Sequence, residues 1–500
     1  MVSKEVAIPC GVVLATYVFI GLWNRRRRLP TPPGPSRGEI DVKALRNEPW
    51  VIFQKWSQKY GPIVSWSIFG KTTVVIHSAK AVWDLLESRS ALYSDRPVNW
   101  MGGEIAQRKL NVFSISSTNP RFKMYRRLMH GGLNPRVAKD YRPIQIEELH
   151  TFMKELERTP ERFRQSIKRN ACAIILKVAY GYPMGGYEDE FVRIIDAGFA
   201  ATVELQAPGR FYVEFLPWLR FIPSWFPGAG FKRYGLQMRD ELRLVDQKPF
   251  TWAQEQIATG NYIESFTSKQ LQEDTPYIPD QEKEDIVRWV CAALYAGGAD
   301  TTVSALTSFF YLMQAHPDVQ KKAQQEIESV TSGHRLPTLD DYEALPYVRA
   351  LIKEILRWGT VAPLGLPHCT TEDDIYEGYF IPKGSKVLAN IWAIVHDSEL
   401  YPDPFIFNPE RHLGENPQPD PLKYIFGFGR RSCPGAHLAE MSLFLNMSNV
   451  LAAFDISNAK NEDGTVIEPP VEWTTGITRH IAPFPCDIKV RSEELLSTIS

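Results

Sequence analysis

The most informative stretch of this chain is Phe426-Gly427-Phe428-Gly429-Arg430-Arg431-Ser432-Cys433-Pro434-Gly435. Three glycines and a proline restrict the backbone around one sulfur atom, and an apolar helix is predicted to begin near Ala436. A cysteine that lies among amide N–H groups at a helix N-terminus has a lowered thiol pKa, which suits a metal ligand or a nucleophile. No second cysteine stands at ligand spacing, so a structural zinc site with its four ligands does not fit. A buried cysteine packed in a turn is the alternative.

Composition and charge exclude several protein classes. The 57 Lys and Arg residues nearly balance the 58 Asp and Glu residues, so the total charge gives no indication of a nucleic-acid partner. A hydrophobic content of 44% is enough for a large core and excludes a disordered chain. The six cysteines share no paired spacing, which excludes a zinc ribbon and a secreted disulfide framework. A mean hydropathy of −0.25 excludes a polytopic membrane protein but allows one anchor.

The N-terminus has the pattern of a membrane anchor. The 18 residues from Val6 to Trp23 carry no charge, and as a helix they would extend roughly 27 Å, close to the thickness of a hydrocarbon core. Arg25–Arg28 follow at once and predict that the rest of the chain faces the cytosol; the same run disfavours a cleaved signal peptide. We therefore predict a single-pass anchor over residues 1–23, a basic and proline-rich linker over 24–38, and one large domain over 39–500.

Helical periodicity dominates that domain, so the predicted fold class is mainly α with a minor β-sheet. Apolar residues three and four apart predict helices over 45–59, 79–88, 119–131, 139–156, 160–179, 189–204, 230–258, 281–315, 317–330, 346–359 and 436–454. Strand patterns are clearest over 63–69, 72–77 and 384–389, and weaker near 362–367 and 476–490.

One of these helices is unusually apolar. The 28 residues of 289–316 contain a single charge, Asp300, so hydropathy alone would nominate a second membrane span. Gly297, Gly298 and several hydroxyl side chains make a buried helix the better interpretation, because lipid would expose those polar groups at a cost. The helix would be on the order of 50 Å long, and its middle would be the least solvated place in the protein.

The cysteine loop resembles that of a known family. The pattern F-x-x-G-x-R-x-C-x-G, which Phe426, Gly429, Arg431, Cys433 and Gly435 fill here, is similar to the cysteine loop of the cytochrome P-450 family, the haem-thiolate monooxygenases. The resemblance implies the cytochrome P-450 fold with an N-terminal single-pass membrane anchor, and haem b as cofactor. It implies Cys433 as the axial thiolate of the haem iron, Phe426 on the thiolate side of the haem, Arg431 on a propionate and Gly435 in the cofactor loop.

A second motif lies in the long helix, at Gly297-Gly298-Ala299-Asp300-Thr301-Thr302. The glycines weaken the helix, and a threonine hydroxyl can bond a carbonyl one turn earlier. Activation of dioxygen consumes protons, so a hydroxyl and a carboxylate in a dry groove suit a proton relay. The resemblance implies Thr301 as the hydroxyl that holds dioxygen and Asp300 as the proton carrier. A helix with a satisfied polar pair and no catalytic role is the alternative.

Further positions match the family at lower specificity. Periodicity alone would place Glu354 and Arg357 on the surface as an i,i+3 ion pair, and Glu155 and Arg158 repeat that spacing. The resemblance instead implies a structural triad of Glu354 and Arg357 with Arg411, which locks the cysteine loop.

Other cofactor and pocket positions follow only from the resemblance. Arg126 stands where the family places a propionate ligand, although Phe122 replaces the usual tryptophan, and His368 stands where relatives contact the other propionate. The substrate pocket would draw on the loop 96–118 and on Leu294, Tyr295, Val361, Leu364, Thr475 and Ile477. Ordinary core packing is the alternative for each pocket residue.

The resemblance implies an NADPH-dependent monooxygenase that inserts one oxygen atom into a hydrophobic small molecule. Its partners would be NADPH–cytochrome P-450 reductase, with cytochrome b5 as a second candidate donor, and the endoplasmic reticulum membrane, with the catalytic domain facing the cytosol. The stretch Ser224–Arg233 resembles fungal members that oxidise secondary metabolites such as terpenoids. Exposed basic residues for docking the reductase would be Lys123, Arg127, Lys423 and Arg430.

Two other functions remain as hypotheses. Cys433 could be the nucleophile of an enzyme without haem, with His437 one turn away as its base. A haem-thiolate protein could also catalyse isomerisation or dehydration without oxygen insertion, but the intact Asp300–Thr301 pair disfavours that function.

Overall fold

The computed structural model describes residues 29–41, 43–207 and 209–499. The predicted anchor, residues 1–23, lies outside the described residues, as does the predicted linker up to residue 28. The described part is mainly helical with small sheets, which confirms the predicted class. In those ranges, no helix combines the length and the apolar composition that a bilayer span requires.

Ten helices of 12 or more residues form the body of the described part. They are α1 (Pro49–Tyr60), α2 (Pro120–Leu133), α3 (Arg142–Arg158), α4 (Phe163–Tyr180), α5 (Glu190–Gln206), α6 (Gly230–Thr259), α7 (Asp280–Ala315), α8 (Pro317–Thr331), α9 (Pro346–Gly359) and α10 (Ala436–Ala453). Shorter α-helices are Ala79–Val82, Ser90–Tyr93, Phe266–Gln272, Ile391–Val395, Leu422–Ile425 and Glu493–Ser497. The predicted helices are confirmed with ends displaced by a few residues, except that 79–88 divides into a short α-helix and a π-helical turn, Trp83–Ser88.

The strands are short. In chain order they are β1 (Ile63–Ile68), β2 (Lys71–Ile76), β3 (His368–Cys369), β4 (Asp374–Tyr376), β5 (Tyr379–Ile381), β6 (Lys386–Ala389), β7 (Phe454–Ser457) and β8 (Asp487–Val490). The largest sheet has the order β1-β2-β6-β3, in which only the β2–β6 pair is parallel. The pairs β4–β5 and β7–β8 are separate antiparallel ribbons.

The strand prediction near 362–367 is wrong. This segment forms bends and turns, and the strand β3 begins only at His368. Pro363 and Pro367 have no N–H to donate to a sheet, and Gly365 has a left-handed φ of 56°. Of the predicted stretch 476–490, only Asp487–Val490 forms a strand.

Helix α7 connects two hydrophobic cores. Its first half, up to Ala299, packs with α2, α4, α5 and α6, and its second half, from Ala305, packs with α3, α8, α9 and α10. Gly298 allows α4 to approach closely, because a Cβ there would lie 2.8 Å from Ile175. The prediction of a buried helix is confirmed, and its polar stretch Asp300–Ser304 lies where the two cores meet.

Candidate active site

The cysteine loop is closed by its own backbone and pressed against the segment before α2. The Cys433 N–H donates to the Phe426 carbonyl over 2.7 Å. Gly429 has a left-handed φ of 52°, and a Cβ on it would lie 2.5 Å from the Leu86 carbonyl oxygen. Only glycine fits that position, because both the backbone conformation and the close approach exclude a side chain. The Gly429 N–H donates to the Glu87 carboxylate, which fixes the loop against the 83–93 segment.

Cys433 lies directly before helix α10, whose N-cap is Gly435. Burial raises the pKa of the Cys433 thiol, while the Gly435 N–H and the Arg126 guanidinium act in the opposite direction by favouring the thiolate. The Cys433 side chain is nevertheless exposed. A side chain that is both surrounded by protein and exposed lines an internal space. A Cβ on Gly435 would also meet no atom within 4 Å, so this side of the loop leaves room for a bound group.

Three arginines surround this region and direct their guanidinium groups to main-chain carbonyls. Arg126 donates to Ser432 O over 2.8 Å, and Arg431 donates to Ser94 O over 2.9 Å and lies 4.1 Å above the Phe122 ring. Arg96 donates to Phe113 O, Leu366 O and Pro367 O over 2.7 to 3.0 Å. Arg96 could not be identified individually from the sequence, because it belongs to no motif and only tertiary contacts place it here.

These guanidinium groups are in an environment that disfavours positive charge. Burial lowers the pKa of Arg96 to about 9 and that of Arg431 to about 10, and it also lowers the pKa of Arg126. Among the described residues, none of the three forms an ion pair with a carboxylate. The charge of Asp95 acts on Arg96 and Arg431 without forming an ion pair with either. Partly buried cations without an ion-pair partner are costly, so the arrangement favours a bound anion, above all one with more than one carboxylate.

His368 borders the same region on strand β3. Its Nδ1 lies 2.8 Å from the Tyr93 carbonyl, to which it donates. Burial and the charges of Arg96 and Arg431 lower the pKa of His368 to about 3. The ring is therefore neutral in this surrounding, and Nε2 is the nitrogen left for another group. Its contact with a propionate stays a prediction.

Glu354, Arg357 and Arg411 are in contact, and all three are buried. Arg357 makes two hydrogen bonds of 2.8 Å to the Glu354 carboxylate, and Arg411 Nε donates to the same carboxylate over 3.0 Å. His412 Nε2 is a third partner of the Glu354 carboxylate at 3.0 Å, and the Asn408 N–H is a fourth. Burial opposes the charge of Glu354, but Arg357 and His412 outweigh it and lower the pKa to about 2. The group ties α9 to the segment that precedes the cysteine loop.

The polar stretch of α7 holds the predicted hydroxyl and carboxylate. Thr301 Oγ1 donates to Gly297 O over 2.6 Å, and Thr302 Oγ1 donates to Gly298 O over 2.8 Å. The Asp300 carboxylate turns to a different partner, the C-terminal segment, where it accepts from Thr478 and lies 3.1 Å from His480 Nε2. Burial opposes the charge of Asp300, but His480 and Thr478 outweigh it and the pKa lies below its usual range.

Hydrophobic contacts place this helix next to the cysteine loop. Leu438, in the first turn of α10, belongs to the same buried cluster as Ala299 and Phe122. A Cβ on Gly297 would lie 3.7 Å from the Phe113 ring, and Phe113 is the residue whose carbonyl Arg96 binds. Helix α7 near Gly297 and Ala299 therefore packs beside the first turn of α10 and the segment that Arg96 binds.

Comparisons with known proteins place the chain in a family. The family model described as "Cytochrome P450" matches residues 29–484. The chain is 40% identical to cytochrome P-450 monooxygenase 208 of Postia placenta, over 96% of this chain and 94% of that protein. It is 37% identical to cytochrome P-450 monooxygenase claR of Ampulloclitocybe clavipes over 99% and 95%, and 36% identical to ppsD of Aspergillus oryzae over 93% and 89%.

The chain belongs to the cytochrome P-450 family. It is a cytochrome P-450 monooxygenase, and the family implies haem b as its cofactor. The described residues fit that cofactor. Haem carries two propionates, which match the three guanidinium groups without carboxylate partners, and its iron takes a thiolate, which matches Cys433 at the start of α10. Arg96, Arg126 and Arg431 would hold the propionates, and Cys433 would be the ligand.

The predicted pocket residues lie in several places. Leu294 and Tyr295 are buried in the packing of α7, and the Tyr295 hydroxyl donates to Phe191 O over 2.8 Å. Val361 is buried and its carbonyl accepts from the Arg479 N–H, whereas Leu364 packs near Trp50 and Phe53. Thr475 is exposed and Ile477 half-buried in the turn before Thr478. Their role in a cytochrome P-450 pocket stays a prediction.

Sequence reasoning also missed Thr478, His480 and His412. His480 and Thr478 lie about 180 residues from Asp300, so no local spacing could have connected them with it. For His412 there was a signal, because it follows Arg411 directly in the predicted triad motif. The structure shows its Nε2 in contact with the Glu354 carboxylate.

Proposed function

We propose that this cytochrome P-450 monooxygenase inserts one atom of dioxygen into a hydrophobic small molecule, with NADPH electrons supplied by NADPH–cytochrome P-450 reductase. One observation supports the proposal most strongly. Cys433 stands at the N-terminus of α10, on an internal space bordered by three guanidinium groups that form no ion pair with a described carboxylate. This set of donors suits a thiolate-ligated dicarboxylate cofactor and not a nucleophilic cysteine, which needs an adjacent base.

The protein's own groups would have distinct tasks. When bound, haem supplies the one-electron and dioxygen chemistry that an unactivated C–H bond requires. The Gly435 N–H and Arg126 favour the thiolate of Cys433. Thr301 would place its hydroxyl beside the reaction site. Asp300 would carry protons to that hydroxyl from the side of α7 that faces the C-terminal segment of the chain. The triad of Glu354, Arg357 and Arg411 would hold the segment before the cysteine loop in place, and it would not contact substrate.

The substrate class proposed is a fungal secondary metabolite such as a terpenoid. Fungal origin of the similar monooxygenases supports this, as does the apolar character of α7 beside its polar stretch, where Leu294 and Ala299 are buried. The C–H bonds of such molecules offer no group for acid–base chemistry, so oxidation by the cofactor is the reaction that fits.

Partners and location are part of the proposal. Lys123, Arg127, Lys423 and Arg430 are all exposed, and they flank Arg126 and the cysteine loop, which supports a docking face for an acidic reductase. For the endoplasmic reticulum membrane, support comes from the uncharged stretch 6–23 and the arginines after it.

The test is turnover under isotopically labelled dioxygen. Membranes that carry this chain and the reductase are incubated with NADPH and candidate terpenoid, polyketide and indole scaffolds. We expect a product that gains one labelled oxygen atom and requires NADPH; a Cys433→Ala preparation is the control and should give none. A product that forms without NADPH or without label would instead establish isomerisation or dehydration and overturn the proposal.

A further inference from the structure

A row of side chains crosses one face of the largest sheet. Thr73 of β2 lies beside Lys386 of β6 in the parallel register, and Lys386 lies opposite Cys369 of β3 in the antiparallel one. An isolated bridge extends the row from Cys369 to Asp95. Residues that pair in register project from the same face of a sheet, and neighbouring strands are about 4.8 Å apart. Lys386 therefore lies in the middle of this row.

The face that carries Lys386 is also the face on which a predicted pocket residue packs. Leu388, two residues further along β6, projects from the same face and belongs to a buried cluster with Phe53, against which Leu364 packs. Val387 projects from the opposite face into a separate cluster. Lys386 and the half-buried Leu364 are therefore on the same side of the sheet.

A second predicted pocket segment reaches Lys386 through Glu214. The charge of Glu214 acts on Lys386, so the two side chains are near one another. The Glu214 carboxylate accepts the Met101 N–H over 2.7 Å and the Trp100 N–H over 3.2 Å. Both donors belong to the loop 96–118, which the sequence predicts to line the substrate pocket. Lys386 thus lies where this loop, the segment around Glu214 and the sheet come together.

The Lys386 ammonium group is unpartnered in this place. Among the described residues, no carboxylate forms an ion pair with it and no oxygen accepts a hydrogen bond from it. Glu214 does not fill that role, because each of its carboxylate oxygens accepts a backbone N–H. Burial lowers the pKa of Lys386, and the charge of Glu214 acts in the opposite direction. A half-buried ammonium group without an acceptor is costly, and a bound anion would offset that cost.

Exposed aromatic side chains lie just outside this place. Phe215 follows Glu214 directly, and its ring lies 5.5 Å from the ring of Phe69 at the end of β1. Phe69 and Phe221 are each 71% exposed. An apolar surface that adjoins a half-buried cation suits a ligand with an apolar body and one anionic end. A ligand that approached along these rings would reach Lys386 with its anionic end.

We propose that Lys386 binds the carboxylate of an apolar substrate, so that this monooxygenase prefers hydrophobic carboxylic acids to the corresponding alcohols. The inference rests on the proposed function and names the substrate class of the same pocket. Lys386 Nζ would donate a charge-assisted hydrogen bond to the carboxylate, and the apolar body would lie beside Leu364. An alcohol could accept one hydrogen bond from Nζ, but it would leave the charge of Lys386 unpaired.

The experiment measures binding to the haem-loaded full chain, in detergent at neutral pH and without NADPH or reductase. The probes are pairs of an acid and the alcohol of the same skeleton: dodecanoic acid and dodecanol, farnesoic acid and farnesol, abietic acid and abietinol. Equilibrium dialysis gives the dissociation constant of each probe. Lys386→Met removes the charge, and Lys386→Arg retains it. Lys383→Met is the matched control, because Lys383 is exposed and lies three residues earlier, in the turn before β6.

We expect at least one acid to bind the wild-type enzyme about tenfold or more tightly than its alcohol, the effect of one hydrogen bond to a charged group. Lys386→Met should abolish this preference and leave the affinity for the alcohol unchanged. Lys386→Arg should retain most of the preference, and Lys383→Met should retain all of it. The carbon monoxide spectrum of each variant shows that the enzyme is correctly loaded.

Three outcomes would overturn the proposal. The wild-type enzyme might bind none of the acids more tightly than its alcohol, or an acid preference might persist in Lys386→Met. Equal weakening of acid and alcohol in Lys386→Met would assign Lys386 to the packing around Glu214 instead.

The failure of the proposed function is distinguishable from these outcomes. Turnover that gives a product labelled from dioxygen, without any acid preference in binding, would overturn the role of Lys386 alone. An acid preference that depends on Lys386, without any NADPH-dependent labelled product, would overturn the oxygen insertion and leave the carboxylate site in place.

Discussion

Thr301 and Thr302 make the same local contact but are not equivalent. Each hydroxyl donates to the carbonyl four residues earlier, at 2.6 and 2.8 Å. The oxygen-binding role is proposed only for Thr301, which directly follows Asp300. The two residues therefore offer a matched pair in which helix geometry is constant and the proposed chemistry differs.

The first prediction uses this pair. Thr301→Ala should lower the product formed per NADPH by about tenfold and release hydrogen peroxide instead, because general acid catalysis is lost while water replaces the hydroxyl in part. Thr302→Ala should keep its coupling close to wild type. Product, NADPH and peroxide are measured together, and equal coupling in the two variants would contradict the assignment of Thr301.

Residues differ in how far the sequence predicts them. Cys433, Arg431 and Gly429 belong to one loop. The positions of its glycines and its proline predict the tight backbone around the sulfur. Arg96 and His480 reach the site only through tertiary contacts, with Leu366 O and with Asp300, that no local pattern records. The sequence therefore predicts the ligand loop and the polar stretch of α7, but not the groups that orient them.

At the scale of elements, helix α9 shows why periodicity alone misplaces an ion pair. Its apolar face packs in the core through Val348, Leu351 and Ile355. The opposite face would be expected in solvent, but the segment that contains Asn408 and Arg411 covers it and buries Glu354 completely. The covering segment contains only the short 3-10 helix Pro409–His412, and so short an element has no periodic signal in sequence.

The second prediction compares two arginines with the same E-x-x-R spacing. Arg357→Ala should lower the free energy of unfolding by about 3–5 kcal/mol, because Glu354 keeps its charge in a buried site with a partner missing. Arg158→Ala, in an exposed position, should change it by less than about 0.5 kcal/mol. Unfolding is followed in denaturant by fluorescence and by the Soret band.

These unfolding measurements should be made at neutral pH. The folded enzyme lowers the pKa of Glu354 from 4.5 to about 2, so its ion pairs stabilise the fold fully above pH 4.5 and this contribution is lost as the pH falls through about 2. If Arg357→Ala and Arg158→Ala were equally stable at neutral pH, the structural role of the triad would be wrong.

At the scale of the whole molecule, the first described residues pack on strands β1 and β5, and exposed aromatic side chains lie at the end of β1. Pro33 and Pro30 accept hydrogen bonds from Ser65 of β1 and Phe380 of β5. At the end of β1, Phe69 is 71% exposed and its ring lies 5.5 Å from Phe215. The segment that follows Phe215 carries further exposed aromatic side chains, which include Phe221, Trp225 and Phe226. Aromatic residues in such a position suit a membrane interface.

The third prediction concerns this surface. In a variant that begins at residue 29, vesicle binding should persist, and the double substitution Phe221→Ser with Trp225→Ser should weaken it by roughly tenfold or more, since each buried side chain contributes about 1.5–3 kcal/mol. The matched control is Val466→Ser with Val471→Ser, two exposed apolar residues elsewhere. Co-sedimentation with phosphatidylcholine vesicles gives the bound fraction, and equal loss in both double variants would contradict a membrane face.

The central claim is that Cys433 ligates haem iron as a thiolate, and the spectrum of the reduced protein with carbon monoxide tests it most directly. The account predicts a strongly red-shifted Soret band for the wild-type chain and the loss of that band in Cys433→Ser, with some haem retained through Arg96, Arg126 and Arg431. A wild-type chain that stays colourless with ample haem, or a Cys433→Ser protein with the same red-shifted band, would contradict it.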